Sequence, residues 1–190
     1  MSDAAGGIAA TAAGESRTRR GSRRLLVVRH AKAAYPDGVV DHDRPLTERG
    51  ERDAAAVGRW MATERFVPDV VLTSDAVRAL GTWELVAPEL GVEPEVHVER
   101  RLYNADADTV LDLVRTHGGD AHTVAVFGHE PGLSTLARTL ADPETSDPQE
   151  LAGLSDRFPT AGVVVMRTRS AWVDTPLGGL VLARVVVPRS

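Results

Sequence analysis

The chain has 190 residues, 43% hydrophobic and 26% charged, with a formal net charge of −5 and no cysteine. That length fits one domain, or one domain plus a tail, and the proportions exclude a collagenous, fully disordered or disulfide-stapled protein. The missing cysteine excludes disulfides, thiolate nucleophiles, zinc fingers and iron–sulfur clusters, and it suits the cytoplasm.

No apolar run approaches the roughly 18–20 residues of a membrane span. Aromatic residues make up only 4%, so the core must be mostly Val, Leu and Ala. Charge is uneven: residues 1–24 hold five arginines against Asp3 and Glu15, about +3, and the remaining chain nets −8. An acidic domain speaks against nucleic-acid binding, because a phosphate backbone needs a basic face. The arginine-rich tail alone could touch RNA or an acidic partner, although short Arg/Ser/Ala tails are more often solvated disorder. Ser22-Arg23-Arg24-Leu25-Leu26 is faintly similar to a twin-arginine export signal. Such a signal needs an apolar stretch of about 7–15 residues, and here Arg29 and His30 interrupt it after Val28. Residues 1–23 are expected to be a disordered tail and 24–190 a single domain.

Leu25–Val28 is a short, continuous apolar run, the pattern of a strand buried on both faces of a parallel sheet. A polar loop follows, Ala31 to Pro45, with turn dipeptides Tyr35-Pro36 and Asp37-Gly38. Thr47 is placed to cap a helix in which Val57, Trp60 and Met61 share a face. Val70–Leu72 reads as a second buried strand. The next helix spaces Ala76, Leu80, Trp83 and Ala87 helically and is expected to close at Pro88 and Gly91. Val96 and Val98 suggest a short edge strand. Asp108 is expected to cap a helix presenting Leu111 and Val114. Val124–Phe127 is a third buried strand, and Leu133, Leu136 and Leu140 line a further helix. Asp142 to Glu150 reads as a surface loop. The end is strand-like: Val163–Met166, Trp172, a Gly178-Gly179 turn, then Leu180–Val187. Strands alternating with helices predict an α/β fold around a mostly parallel sheet.

Three of these strands end in chemistry. The first runs into Arg29-His30, the second into Ser74 with Arg78 one turn along the next helix, and the third into His129. Ligands of open α/β sheets sit at the carboxyl ends of strands, so these residues should meet in one crevice. Two arginines and two histidines near helix N-termini describe a site for a compact anion, and phosphate is the natural candidate. Arginine forks bind phosphoryl oxygens, and neutral imidazole is a competent nucleophile toward phosphorus. Neighbouring arginines should depress the histidine pKa values, and a bond from one ring nitrogen to a backbone carbonyl should fix the tautomer. The second histidine, protonated, would balance charge on the oxygens in flight.

Singly, each residue has an ordinary reading: a chance dipeptide, a turn, a solvated helix position. Their shared place at strand ends is what joins them. Thr47 serves better as a cap than as a catalyst. His42, His97, His117 and His122 lack metal-ligand spacing, and His129-Glu130 lacks the second histidine of a zinc-protease helix, since position 133 is Leu. No metal or other cofactor is expected.

The same residues resemble the histidine phosphatase superfamily, the phosphoglycerate-mutase-like phosphatases. The matching pieces are Val28-Arg29-His30-Ala31-Lys32, Arg44-Pro45-Leu46-Thr47-Glu48-Arg49-Gly50, Ser74 through Thr82, and Phe127-Gly128-His129-Glu130-Pro131-Gly132. They fall in the family's order over roughly residues 25 to 170, and the short layout is most similar to SixA-type phosphohistidine phosphatases. The resemblance implies a three-layer sandwich with helices on both faces of the sheet. It also implies His30 as nucleophile, Arg29, Arg78 and His129 holding the phosphoryl group, and Arg44 reaching the same pocket.

Two departures stand out. The family's Arg-His-Gly is Arg29-His30-Ala31 here, which adds only a methyl if the backbone keeps φ below zero. Classical members carry a glutamate general acid near Leu102, and this chain has Leu102-Tyr103-Asn104. Asparagine cannot protonate a leaving alkoxide; Glu99, Asp106 or Asp108 could substitute. The leading expectation is a metal-independent phosphatase for phosphohistidine in a phosphoprotein, or for a similarly labile phosphoryl group. The alternatives are a phosphomonoesterase for a small phosphorylated metabolite and a phosphoprotein-binding module without turnover.

Overall fold

A computed structural model describes residues 21–154 and 158–189. The expected tail therefore lies almost wholly outside the described residues. Eleven regular elements are named here. They are β1 (Arg23–Arg29), α1 (Glu48–Thr63), β2 (Val70–Thr73), α2 (Val77–Leu90), β3 (Glu95–Val98), α3 (Ala107–His117), β4 (Thr123–Gly128), α4 (Gly132–Leu140), α5 (Pro148–Gly153), β5 (Val163–Thr168) and β6 (Val181–Val186). The first strand opens at Arg23, one residue ahead of the expected boundary, and Arg23 donates to the carbonyl of Ala121 at 2.8 Å.

The strands form one six-stranded sheet in the order β3-β2-β4-β1-β5-β6. β1, β2, β3 and β4 run parallel, β5 is antiparallel to β1, and β6 is antiparallel to β5. The mostly parallel α/β sheet is as the sequence predicts. Its strands are apolar at consecutive positions because both faces are covered. Leu26, Val28, Val71, Ala125 and Phe127 meet Val57, Met61, Trp83 and Val86 of α1 and α2 on one face. Leu25, Val27, Leu72, Val124 and Val126 meet Leu111, Val114, Leu133, Leu136 and Leu140 of α3 and α4 on the other. This is a three-layer sandwich with two separate cores.

Several local expectations shift. The cap of α3 is Asp106, whose side chain accepts the Thr109 N–H, while Asp108 falls in the first turn. Pro88 lies inside α2, which runs two residues further to Leu90 and ends on Gly91 at φ 64. A late proline removes one helical hydrogen bond without ending the helix, and burial of Leu90 holds the last turn. Part of the expected Asp142–Glu150 loop is α5, capped by Asp147. Trp172 belongs to a 3-10 turn rather than a strand and is fully buried. β3 is the edge strand expected, with Val96 and Val98 largely exposed.

Candidate active site

β1, β2 and β4 deliver their carboxyl ends side by side. The backbone N–H of His30 bonds to Gly128 O at 3.0 Å, and that of Ser74 to Phe127 O at 3.0 Å. Glycines of the sequence motifs let the surrounding loops close in. A Cβ on Gly50 would run into the carbonyl of Lys32, and one on Gly132 into that of Ala105. Thr47 caps α1, its hydroxyl accepting the Gly50 N–H at 3.0 Å, so its part is structural as expected.

His30 is buried, and its Nδ1 lies 2.8 Å from its neighbour's carbonyl, Ala31 O. A carbonyl only accepts, so Nδ1 carries the proton and Nε2 keeps its lone pair. The anticipated tautomer-fixing bond is therefore present. Ala31 is accommodated at negative φ, its N–H bonding to Thr82 Oγ1 at 2.9 Å. Arg78, buried on the first turn of α2, donates Nε–H to His30 Nε2 at 3.3 Å. The rings of His30 and His129 lie 5.1 Å apart. His129 Nε2 is 2.9 Å from Ser74 Oγ, which also accepts the Ala76 N–H at 3.2 Å. The serine hydroxyl proton is then free to go to Nε2, which leaves the imidazole proton on Nδ1. Among the described residues that Nδ1 is buried without a partner, and so is Nε of Arg29, whose other end donates to Phe158 O. Unpaired buried donors are rare and ask for an acceptor.

Around these groups is a cavity of about 220 Å³, lined by all five expected residues, Arg29, His30, Arg44, Arg78 and His129, and also by Lys32. It is small beside the roughly 300–1,000 Å³ of ordinary ligand pockets. Four cationic side chains in so small a space suit a compact anion rather than an entire metabolite. Among the described residues, no group of three or more His, Asp or Glu side chains is arranged to hold a metal ion.

Burial is the main force on both histidines. It lowers His30 to about 4, with Arg78, Arg29 and Arg44 pushing the same way and the Ala31 carbonyl opposing. It lowers His129 to about 3, helped by His30 and Arg78. The arginines anticipated as the cause are thus secondary. Near neutral pH the second histidine is neutral in the free site, because burial, His30 and the guanidiniums of Arg78 and Arg29 all disfavour its cation; the protonated form expected from the sequence concerned the phosphoryl group in flight.

Asn104 is on the cavity wall, at φ 55. None of the carboxylates offered as substitutes lines the cavity. Glu99 pairs with His117 at 3.1 Å and Arg101 at 3.3 Å, Asp106 caps α3, and Asp108 sits on its first turn. The carboxylate that does line it is Glu130, which sequence reasoning quoted only as part of a motif. It accepts from the Ser134 N–H at 3.1 Å and the Ser134 hydroxyl at 2.6 Å. Asp41, which accepts from Arg78, and Tyr103, which donates to Asp41, were also missed.

Fold and site together define an α/β protein with a cationic, two-histidine anion pocket at the carboxyl ends of parallel strands. The sequence model of the histidine phosphatase superfamily (branch 1) matches residues 25–110. A protein of Mycobacterium tuberculosis, described only as uncharacterized, is 39% identical over 162 residues, which cover 85% of this chain and all of that one. A solved structure from Nakamurella multipartitia, described as a proposed phosphohistidine phosphatase SixA, is 33% identical at a TM-score of 0.77, covering 88% of this chain and 97% of that one. Another of that description, from Agrobacterium tumefaciens, is 26% identical at a TM-score of 0.72, covering 87% and 99%. This chain belongs to the histidine phosphatase superfamily. No helix among the described residues is long and apolar enough to cross a membrane.

Proposed function

We propose that the protein is a metal-independent phosphatase in which His30 is the nucleophile, acting on phosphohistidine in a phosphoprotein or on a similarly labile phosphoryl group. The observation that carries this reading is His30 itself: neutral, buried, its proton fixed on Nδ1 by Ala31 O, and Nε2 facing a cavity walled by arginines.

In the first step the Nε2 lone pair forms a bond to phosphorus as the bond to the leaving group breaks. Arg29, Arg44 and Arg78 bind the phosphoryl oxygens, and His129 gives Nδ1–H to one of them. A phosphohistidine substrate that carries a proton on its other ring nitrogen releases its histidine as neutral imidazole, so the protein need supply no proton. In the second step water attacks phosphorus, the P–Nε2 bond breaks, and the proton goes out with inorganic phosphate. Asn104 at the cavity wall favours a leaving group that needs no strong acid. The SixA likeness supports the same substrate class.

A second reading has one observation behind it. Glu130 on the wall, held by two bonds from Ser134, could serve a small-metabolite phosphomonoesterase as proton donor. Initial rates of phosphate release in EDTA decide between them. The substrates are a phosphohistidine protein and an alkyl phosphate, with wild type and His30→Ala. Strong preference for phosphohistidine with an inactive variant supports the proposal. Equal turnover of the alkyl ester transfers it to the metabolite reading, and binding without turnover identifies a phosphoprotein-binding module.

A further inference from the structure

Two arginines of the cavity turn toward one carboxylate. Asp41 sits on a 3-10 turn, Asp41–Asp43, in the loop between β1 and α1. Its Oδ1 accepts from Arg44 Nη1 at 2.7 Å, and its Oδ2 from Arg78 Nη2 at 3.0 Å. Its backbone carbonyl accepts from Arg78 Nη1 at 2.6 Å. Arg44 is fixed further by Nε–H to Ala34 O at 2.7 Å, and its guanidinium lies 3.3 Å from the Tyr35 ring centroid. From the loop after β3, the Tyr103 hydroxyl donates to Oδ2 at 2.8 Å, and its ring meets His129 edge-on at 5.6 Å. Asp41 itself does not line the cavity.

A carboxylate this close to an anion site is, by charge alone, adverse. Arg44, Tyr103 and Arg78 nevertheless hold Asp41 well below the usual carboxylate range, so it stays charged at every working pH. What it offers in return is order. Each arginine side chain samples many rotamers when free, and ordering it is costly. Fixing two forks before the anion arrives removes that cost from binding and from the transition state. Arg78 has five N–H donors, so the bonds to His30 and Asp41 leave others for phosphoryl oxygens.

We infer that Asp41 is a positioning residue: it pre-orders the forks of Arg44 and Arg78 around His30, and Tyr103 clasps it from the opposite loop. This rests on the reading that the cavity takes a phosphoryl group. Charge and position predict opposite signs, which makes the test decisive. Removing a repulsive charge tightens anion binding, whereas releasing two ordered arginines weakens it.

The probe is inorganic phosphate, measured as a competitive inhibitor and by calorimetry at neutral pH with wild type, Asp41→Ala, Asp41→Asn and Tyr103→Phe. Asp41→Ala is expected to raise Ki roughly tenfold and to lower kcat. Asp41→Asn keeps acceptor capacity and falls between it and wild type. Tyr103→Phe leaves every charge in place and raises Ki a few-fold. Equal or tighter phosphate binding by a folded Asp41→Ala protein, judged by its melting temperature without phosphate, overturns the inference. Should that variant not fold, an unchanged Ki in Tyr103→Phe overturns it. Wild type that binds no phosphate removes the reading of the cavity, and the inference falls with it.

Discussion

Arg78 aims its Nε–H at Nε2 of His30 across 3.3 Å, the one ring nitrogen that Ala31 leaves unprotonated. In the free site the guanidinium therefore covers the lone pair that the proposed mechanism uses for attack. An arriving phosphoryl oxygen is a stronger acceptor than imidazole and draws that N–H away, which exposes the lone pair when there is something to attack. A lysine in place of Arg78 offers one ammonium where a planar fork serves His30, Asp41 and the phosphoryl group together. Arg78→Lys is expected to lower kcat by roughly 10²–10³-fold, the usual loss of a transition-state oxyanion donor, and Arg78→Ala by no less. Single-turnover trapping of the phosphorylated protein reads this step directly. A rate within threefold of wild type for Arg78→Lys sinks the role.

The histidine pKa values give a pH dependence with a definite sign. The proposed nucleophile, His30, must be neutral and is lowered to about 4, so the acid limb of kcat/KM for the free protein should lie near pH 4 rather than near 6.5. Stability follows by linkage. Between about pH 6.5, where an unfolded histidine titrates, and about pH 4, the unfolded chain binds protons that the folded chain refuses. Stability therefore falls as pH drops through that window, by up to about 1.4 kcal/mol per pH unit for each histidine, and levels off above it. Urea midpoints at pH 4.5, 5.5 and 7, compared with a His30→Asn/His129→Asn variant, isolate these two groups from the carboxylates. An acid limb near 6.5 would contradict the burial argument.

What could be read from the chain depended on distance along it. Strand ends were legible because Leu25–Val28, Val70–Leu72 and Val124–Phe127 are unbroken apolar runs, and a parallel sheet fixes which end carries chemistry. The Thr47 cap was legible because its partner, Gly50, is three residues away. Asp41 was not. In the sequence it is one acid among several in a polar loop; Arg44 is three residues away, but the partners that tie it to the rest of the site, Arg78 and Tyr103, lie 37 and 62 residues on. No local periodicity reports such a bond. Glu130 was hidden differently: its motif position was visible, but only the fold shows it on the cavity wall while the carboxylates nearer Leu102 face elsewhere. The choice of Asp108 over Asp106 as cap is a third kind, since both acids lie at the start of the same helix and only the Thr109 N–H shows which one caps it.

Asn104 gives the substrate preference a test by gain rather than loss. It holds φ 55 on the cavity wall, a conformation that asparagine and aspartate tolerate far better than most residues. Asn104→Asp keeps that backbone and supplies the missing carboxyl group. Alkyl phosphate turnover is expected to rise by roughly 10–10²-fold, the lower part of what a positioned general acid contributes. Phosphohistidine turnover should change less than threefold, because its leaving group needs little help. Parallel assays on the two substrates make the comparison, and a rise in both, or in neither, counts against the assignment of Asn104 to the acid position.

Stability and chemistry should separate at Trp172. This residue is fully buried, its Nε1–H bonds to Ala121 O at 2.8 Å, and it packs in the core on the α3 and α4 side of the sheet. The indole lies so close to Gly118 that a Cβ there would collide with its ring. Trp172→Ala removes this packing and is expected to cost about 3–5 kcal/mol, seen as a lower urea midpoint. Gly118→Ala should destabilise the same contact from the other side, by about 1–3 kcal/mol through overpacking. Neither residue lines the cavity. Below the unfolding transition, kcat and KM of both variants should stay within about twofold of wild type. A tenfold fall in kcat with the fold intact would show that this core sets the geometry of His129, which β4 carries at its end.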